Sequence, residues 1–221
     1  MTVDAQAVAE RLAVVRARLQ AVGRDDIRIL AVTKGFDRSA LQVAEALGLP
    51  DVGENYAQEL LGKIVLPRPV EQTMHFIGRL QTNKVGSLKD AVDVWQSVDR
   101  ASVVNALSMR VPGAHIFVQV NVSEEPQKGG CAPHDTEALV VSAQQAGLIV
   151  RGLMTVGKAG PPIESAAGFR WLRRTADRLG LTECSMGMSD DLEIAAGEGS
   201  SMVRVGSALF GDRPRIAVRN N

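Results

Sequence analysis

Near the N-terminus, apolar side chains return every three or four positions, at Val8, Leu12, Val15, Leu19 and Val22. That spacing predicts an amphipathic helix, and Gly23 is where it stops. Beyond it the pattern changes. Short apolar runs at Ile27–Lys34, Asp51–Glu54, Met74–Gly78, Val92–Val98, His115–Asn121, Ile149–Val156, Cys184–Met188 and Met202–Phe210 read as strands. Between them come stretches with helical spacing. Examples are SALQVAEALG from Ser39, DTEALVVSAQQAG from Asp135, and a helix over 163–180 with Phe169, Leu172, Ala176 and Leu179 on one face.

Strands that alternate with helices imply a parallel sheet, because the chain must cross back before the next strand can run the same way. Eight such strands make a closed (β/α)8 barrel, a TIM barrel with an extra N-terminal helix, the natural arrangement; a doubly wound open sheet is the alternative. LPRPVEQ and KAGPPIES read as loops rather than linkers, so residues 1–221 are expected to form a single domain. In a barrel, chemistry belongs at the C-terminal ends of the strands. This directs attention to Lys34, Glu54-Asn55, Gly78 onward, Asn121, Thr155, Met188-Ser189, and the run from Arg204 to Ser207.

Charge and composition narrow the function. Lys plus Arg number 25 and so do Asp plus Glu, so no basic excess points to nucleic acid. No stretch approaches the roughly 18 apolar residues of a membrane span, and the N-terminus lacks the apolar core of a secretory signal. The two cysteines, Cys131 and Cys184, provide neither a metal spacing nor a disulfide framework. None of the histidines pairs with an acid at a metal spacing. A cytoplasmic protein with no metal site and no membrane or nucleic-acid partner is the expectation.

Lys34 is the first candidate for chemistry. It closes an apolar strand and precedes Gly35. A solvated strand end explains it, and so does a lysine whose amine is kept for a carbonyl; spacing does not choose. The second candidate is the run from Ser185 to Gly211, where glycines and small hydroxyl residues follow the last two strands. In barrels these loops frequently bind phosphate. Ser189 is either a phosphate ligand or only the N-cap of the helix begun by DDLEIA. Gly206-Ser207 would present a second set of donors. In MVRVG, alternation turns Arg204 away from the side of Val203 and Val205, so it needs either an ion-pair partner or a ligand. His75 reads as a hydrogen-bonded core histidine, and Arg79, Gln81, Asn83 and Lys84 as an anion-facing set or a solvated helix start. No Walker loop, GxGxxG or GxSxG elbow occurs.

Seven stretches occur in order: AVTKG, VGENYAQE, HFIGRLQTNK, QVNVSEEPQKGG, RGLMTVG, SMGMSDDLEIA and VRVGSALFG. Together they resemble the pyridoxal phosphate homeostasis proteins, small relatives of the N-terminal barrel of alanine racemase, over nearly the whole chain. The resemblance implies a fold-type III barrel that holds pyridoxal 5′-phosphate as an internal aldimine on Lys34. It implies Asn55 near the cofactor ring, Ser189 and Gly206-Ser207 on the phosphate, and Arg204 facing the pyridine nitrogen. At the last pair this chain has Ser207 where the family has threonine, which keeps the hydroxyl and loses a methyl. A permanently protonated donor at the pyridine nitrogen keeps the ring unprotonated and weakens it as an electron sink. The expectation is a cofactor carrier in pyridoxal phosphate homeostasis, acting as a monomer that supplies apo-enzymes and has no classical catalytic activity. Its only tyrosine, Tyr56, lies in the GENY turn, which argues against a two-base racemase. A fold-type III racemase or decarboxylase is the alternative, and a barrel aldolase using a lysine Schiff base is a third. A second attachment lysine, at Lys63, Lys84, Lys89, Lys128 or Lys158, stays open.

Overall fold

The structure, a computed structural model, describes residues 2–65 and 72–212. Eight parallel strands close into a barrel in chain order. They are β1 Arg28–Val32, β2 Asp51–Glu54, β3 Thr73–Phe76, β4 Val94–Val98, β5 His115–Gln119, β6 Ile149–Met154, β7 Glu183–Ser185 and β8 Met202–Val205. Closure pairs the last strand with the first, Leu30 against Arg204 and Ala31 against Val205. The helices between strands are α2 Ser39–Ala46, α3 Ala57–Lys63, α4 Val85–Leu88, α5 Ala101–Arg110, α6 Thr136–Gln145, α7 Ala166–Arg178 and α8 Leu192–Gly197. The expected (β/α)8 barrel is therefore the observed one. The loop LPRPVEQ lies, but for Gln72, outside the described residues.

Side chains alternate across each strand, so each strand feeds two layers. Ile29, Ala31, Val52, Phe76, Trp95, Ile116, Val118, Val203 and Val205 join the layer beneath the helices. The opposite set meets inside the barrel in smaller apolar groups, one with Leu30, Val32 and Met202 and another with Val94, Phe117 and Met154. Gly53 also faces inward, where a Cβ would overlap Leu30.

The extra helix, α1 Ala5–Ala21, precedes β1 and packs on α8 and on α9, the turn Ser207–Phe210. Asp4 caps it, its Oδ1 accepting from the N–H groups of Gln6 and Ala7 at 3.0 and 3.3 Å. Val8, Leu12, Val15 and Leu19 are buried as the spacing predicts. Val22 is not: it is the C-cap residue and 42% exposed, because the helix ends one residue before it. The last strand is also shorter than its apolar run. It stops at Val205, and Ser207–Phe210 is a helical turn whose Phe210 packs on Phe36 at 5.5 Å between ring centroids. Ala208, Leu209 and Phe210 are apolar because that turn is buried, not because the strand continues.

His75 sits inside the barrel with no exposure. Its Nε2 lies 2.8 Å from Asp51 Oδ1, and its Nδ1 accepts from Gln96 Nε2 at 2.7 Å. Burial lowers its pKa from 6.5, and Arg28 and Arg151 add to the lowering, while Asp51 opposes it. The unfolded chain therefore binds a proton near pH 6.5 that the folded ring refuses. Stability from the neutral ring is present above that pH and lost as pH falls through it, with a limiting slope of about 1.4 kcal/mol per pH unit. Melting temperature is expected to fall between about pH 7 and pH 5, and the His75→Gln variant to show a shallower fall. Parallel profiles would contradict this.

Candidate functional site

The C-terminal mouth of the barrel opens into a cleft of about 640 Å3, within the size range of small-ligand sites. Lys34, Asn55, Ser189, Arg204, Gly206 and Ser207 all line it. Another cleft, of about 440 Å3, lies by the N-terminal end of β1 and is lined by Arg16, Arg28 and Asp51 among others. None of the six candidates lines that one, and barrels place their chemistry at the opposite end.

Lys34 is carried by a strand end that is fixed from behind. Lys63 Nζ, from α3, donates to the carbonyl of Thr33 at 2.8 Å and pairs with Glu54. The Thr33 hydroxyl donates to Glu54 Oε1 at 2.6 Å. Glu54 is fully buried, and burial raises its pKa against the opposing pull of Lys63. On the other side, the Gly35 N–H donates to Glu59 Oε2 at 2.7 Å. Gly35 has φ +82°, which a residue with a Cβ rarely adopts, so the turn that presents Lys34 depends on this glycine.

Asn55 follows β2. A Cβ at Gly78 would overlap its carbonyl, so the bare glycine lets the two loops touch. The Asn55 Oδ1 is buried and accepts no hydrogen bond among the described residues. An orphaned buried acceptor costs about 1–3 kcal/mol unless something satisfies it.

Arg204 is 5% exposed. Its Nη1 donates to the Ser185 carbonyl at 2.7 Å and Oγ at 3.0 Å, and its Nη2 donates to the Thr155 carbonyl at 2.7 Å. These partners are neutral, so no ion pair among the described residues accounts for it. Burial pushes its pKa down to about 10, with Asp191 opposing, and it stays charged at neutral pH. Its two Nη nitrogens make these three hydrogen bonds, and the residue lines the cleft.

Ser189 is not an N-cap. Helix α8 starts at Leu192, and the residue at its cap position is Asp191. The Ser189 hydroxyl instead meets its counterpart on Ser207 at 3.3 Å and accepts from the Ala208 N–H at 3.3 Å. Its carbonyl accepts from Arg18 Nη1 at 3.0 Å, and Arg18 also forks onto Glu193 at 2.5 and 2.7 Å. The N-terminal helix thus holds the loop after β7 in place. Arg18 gave no signal in sequence beyond a polar position on α1. Lys63 stood in the sequence only among the open second attachment lysines.

Other candidates lie elsewhere. Asn121 donates to the Glu125 carbonyl, and the Thr155 hydroxyl donates to the Val120 carbonyl at 2.7 Å. Arg79, Gln81 and Asn83 are exposed and Lys84 is half-buried, and none of the four lines the cleft. Lys63, Lys128 and Lys158 are paired with Glu54, Glu125 and Glu164 respectively. Both cysteines are free and buried, and burial raises their thiols to about 11 for Cys131 and about 12 for Cys184. No helix among the described residues is long and apolar enough to cross a membrane.

The profile of the alanine racemase N-terminal domain family matches residues 3–214. A pyridoxal phosphate homeostasis protein of Pseudomonas aeruginosa is 42% identical over 93% of this chain and 96% of its own length. One of the same name from Escherichia coli K12 is 33% identical over 93% and 97%. Among solved structures, PipY of Synechococcus elongatus PCC7942 with PLP bound is 32% identical, with a TM-score of 0.78 over 92% of this chain and 100% of that one. Without PLP the same protein aligns with a TM-score of 0.81.

Proposed function

This chain belongs to the pyridoxal phosphate homeostasis proteins, within the alanine racemase N-terminal domain family, and we propose that it binds pyridoxal 5′-phosphate in the mouth of its barrel. The observation that carries the proposal is the convergence of a lysine, a buried arginine and two facing serine hydroxyls on one cleft. The cofactor supplies an aldehyde, a phosphate and a pyridine ring, and each has a fitting group here. Lys34 would hold the aldehyde covalently, its nitrogen forming a C=N bond as water leaves. Ser189 and Ser207, with the Ala208 N–H, would hold the phosphate. Arg204 can only donate, so it suits the unprotonated ring nitrogen. The orphaned Asn55 Oδ1 supports a bound polar group beside the ring.

The role is to hold the cofactor reversibly within its homeostasis and release it to pyridoxal phosphate-dependent apo-enzymes. We propose that the protein works in the cytoplasm as a monomer, as a single domain spanning 1–221. Two free, buried cysteines suit a reducing compartment.

Phosphate recognition is testable without any assay of activity. Each hydrogen bond to a charged group contributes about 1.5–3 kcal/mol, roughly tenfold or more in affinity. Replacing both Ser189 and Ser207 with alanine is expected to weaken pyridoxal phosphate at least tenfold while leaving pyridoxal unchanged. Equal losses for both ligands, read by equilibrium dialysis, would contradict the phosphate assignment.

A further inference from the structure

A chain of hydrogen bonds crosses the inside of the barrel. Arg204 Nη1 donates to Ser185 Oγ at 3.0 Å, and that hydroxyl donates to Gln96 Oε1 at 2.7 Å. Gln96 Nε2 donates to His75 Nδ1 at 2.7 Å, which leaves the ring proton on Nε2, 2.8 Å from Asp51 Oδ1. The five residues come from β8, β7, β4, β3 and β2, and all are buried. The two ends dictate its direction. Arginine can only donate, and an ionised carboxylate can only accept. Every link between them must therefore donate toward Asp51, and the Gln96 amide has one orientation that satisfies both neighbours. Aligned bonds of this kind polarise and strengthen one another.

We propose that Ser185, Gln96 and His75 are positioning residues that act through Arg204, fixing its guanidinium so that its remaining N–H groups face the ligand of the cleft. This rests on the reading of the cleft as a pyridoxal phosphate site. A chain that merely filled the barrel would matter for stability alone. A positioning chain must change what the ligand experiences at its ring, and must do so only while Arg204 is present.

The test is a double-mutant cycle between Ser185→Ala and Arg204→Gln, with Gln96→Leu as a second break in the chain. The holo-protein is read by the absorbance maximum of the bound cofactor and by its dissociation constant. Ser185→Ala and Gln96→Leu are each expected to shift the maximum and weaken binding about tenfold, the worth of one charge-assisted hydrogen bond. In the Arg204→Gln background, Ser185→Ala is expected to add less than about twofold. Additive losses, or an unchanged spectrum and affinity with only a lower melting temperature, would overturn the proposal. If the wild-type protein bound no pyridoxal phosphate, the functional reading would fail first. The relay is then judged on the unliganded protein by NMR. Protected Arg204 side-chain N–H signals that disappear in Ser185→Ala support it, and signals that persist overturn it.

Discussion

Lys34→Ala is expected to abolish the visible absorbance band of the protein mixed with pyridoxal phosphate, while the fold and melting temperature stay close to wild type. Lys34 lines the cleft and is partly exposed, so truncating it removes little packing. Its loss removes the amine and leaves Arg204, Ser189 and Ser207 in place. Residual, noncovalent binding should therefore persist at lower affinity and without the band. A variant that kept the full band would assign the attachment to another lysine.

The second large effect is on stability. Lys63→Ala removes the cation from a pair in which Glu54 is fully buried and already has one oxygen, Oε2, without a partner among the described residues. Breaking a buried pair on one side costs about 3–5 kcal/mol, because the remaining charge is left uncompensated. At about 2–4 °C per kcal/mol for a chain of this size, the melting temperature should drop by roughly 10 °C. The Thr33 carbonyl also loses its donor, so the strand end that presents Lys34 should loosen and cofactor affinity should fall. Replacing both partners together, Glu54→Gln with Lys63→Met, should cost less than Lys63→Ala alone. A double variant as unstable as Lys63→Ala would show that the penalty is not the stranded carboxylate.

The barrel was legible because its two layers impose two periods. Strands buried on both faces read as short apolar runs, and the helices as three-and-four spacing, so the strand count and order came through. The ends were less legible. Met202–Phe210 is one apolar run to the eye, yet Gly206 breaks it, since burial is shared by a strand and by the turn packed beneath α1. At the site, the residues lining the cleft could be named from position and motif, because each lies near the C-terminal end of a strand or in the loop that follows it. Their choice between bland and functional readings needed distances. By sequence Ser189 reads either as an N-cap or as a phosphate ligand, and its hydroxyl lies on Ser207 and Ala208 rather than on the start of α8. By sequence Arg204 needs either an ion-pair partner or a ligand, and the partners it has are two carbonyls and a hydroxyl. The supports were invisible. Arg18 lies 171 residues from the Ser189 carbonyl it holds and Lys63 lies 30 from that of Thr33, and no period encodes either contact.

The most direct measurement of the central claim is reduction of the pyridoxal phosphate-loaded protein with borohydride, followed by peptide mapping. Reduction turns a reversible C=N link into a stable adduct at whichever lysine carries it. The cleft geometry predicts one principal labelled peptide, modified at Lys34. Label on Lys63, Lys128 or Lys158 with Lys34 unmodified would contradict the account.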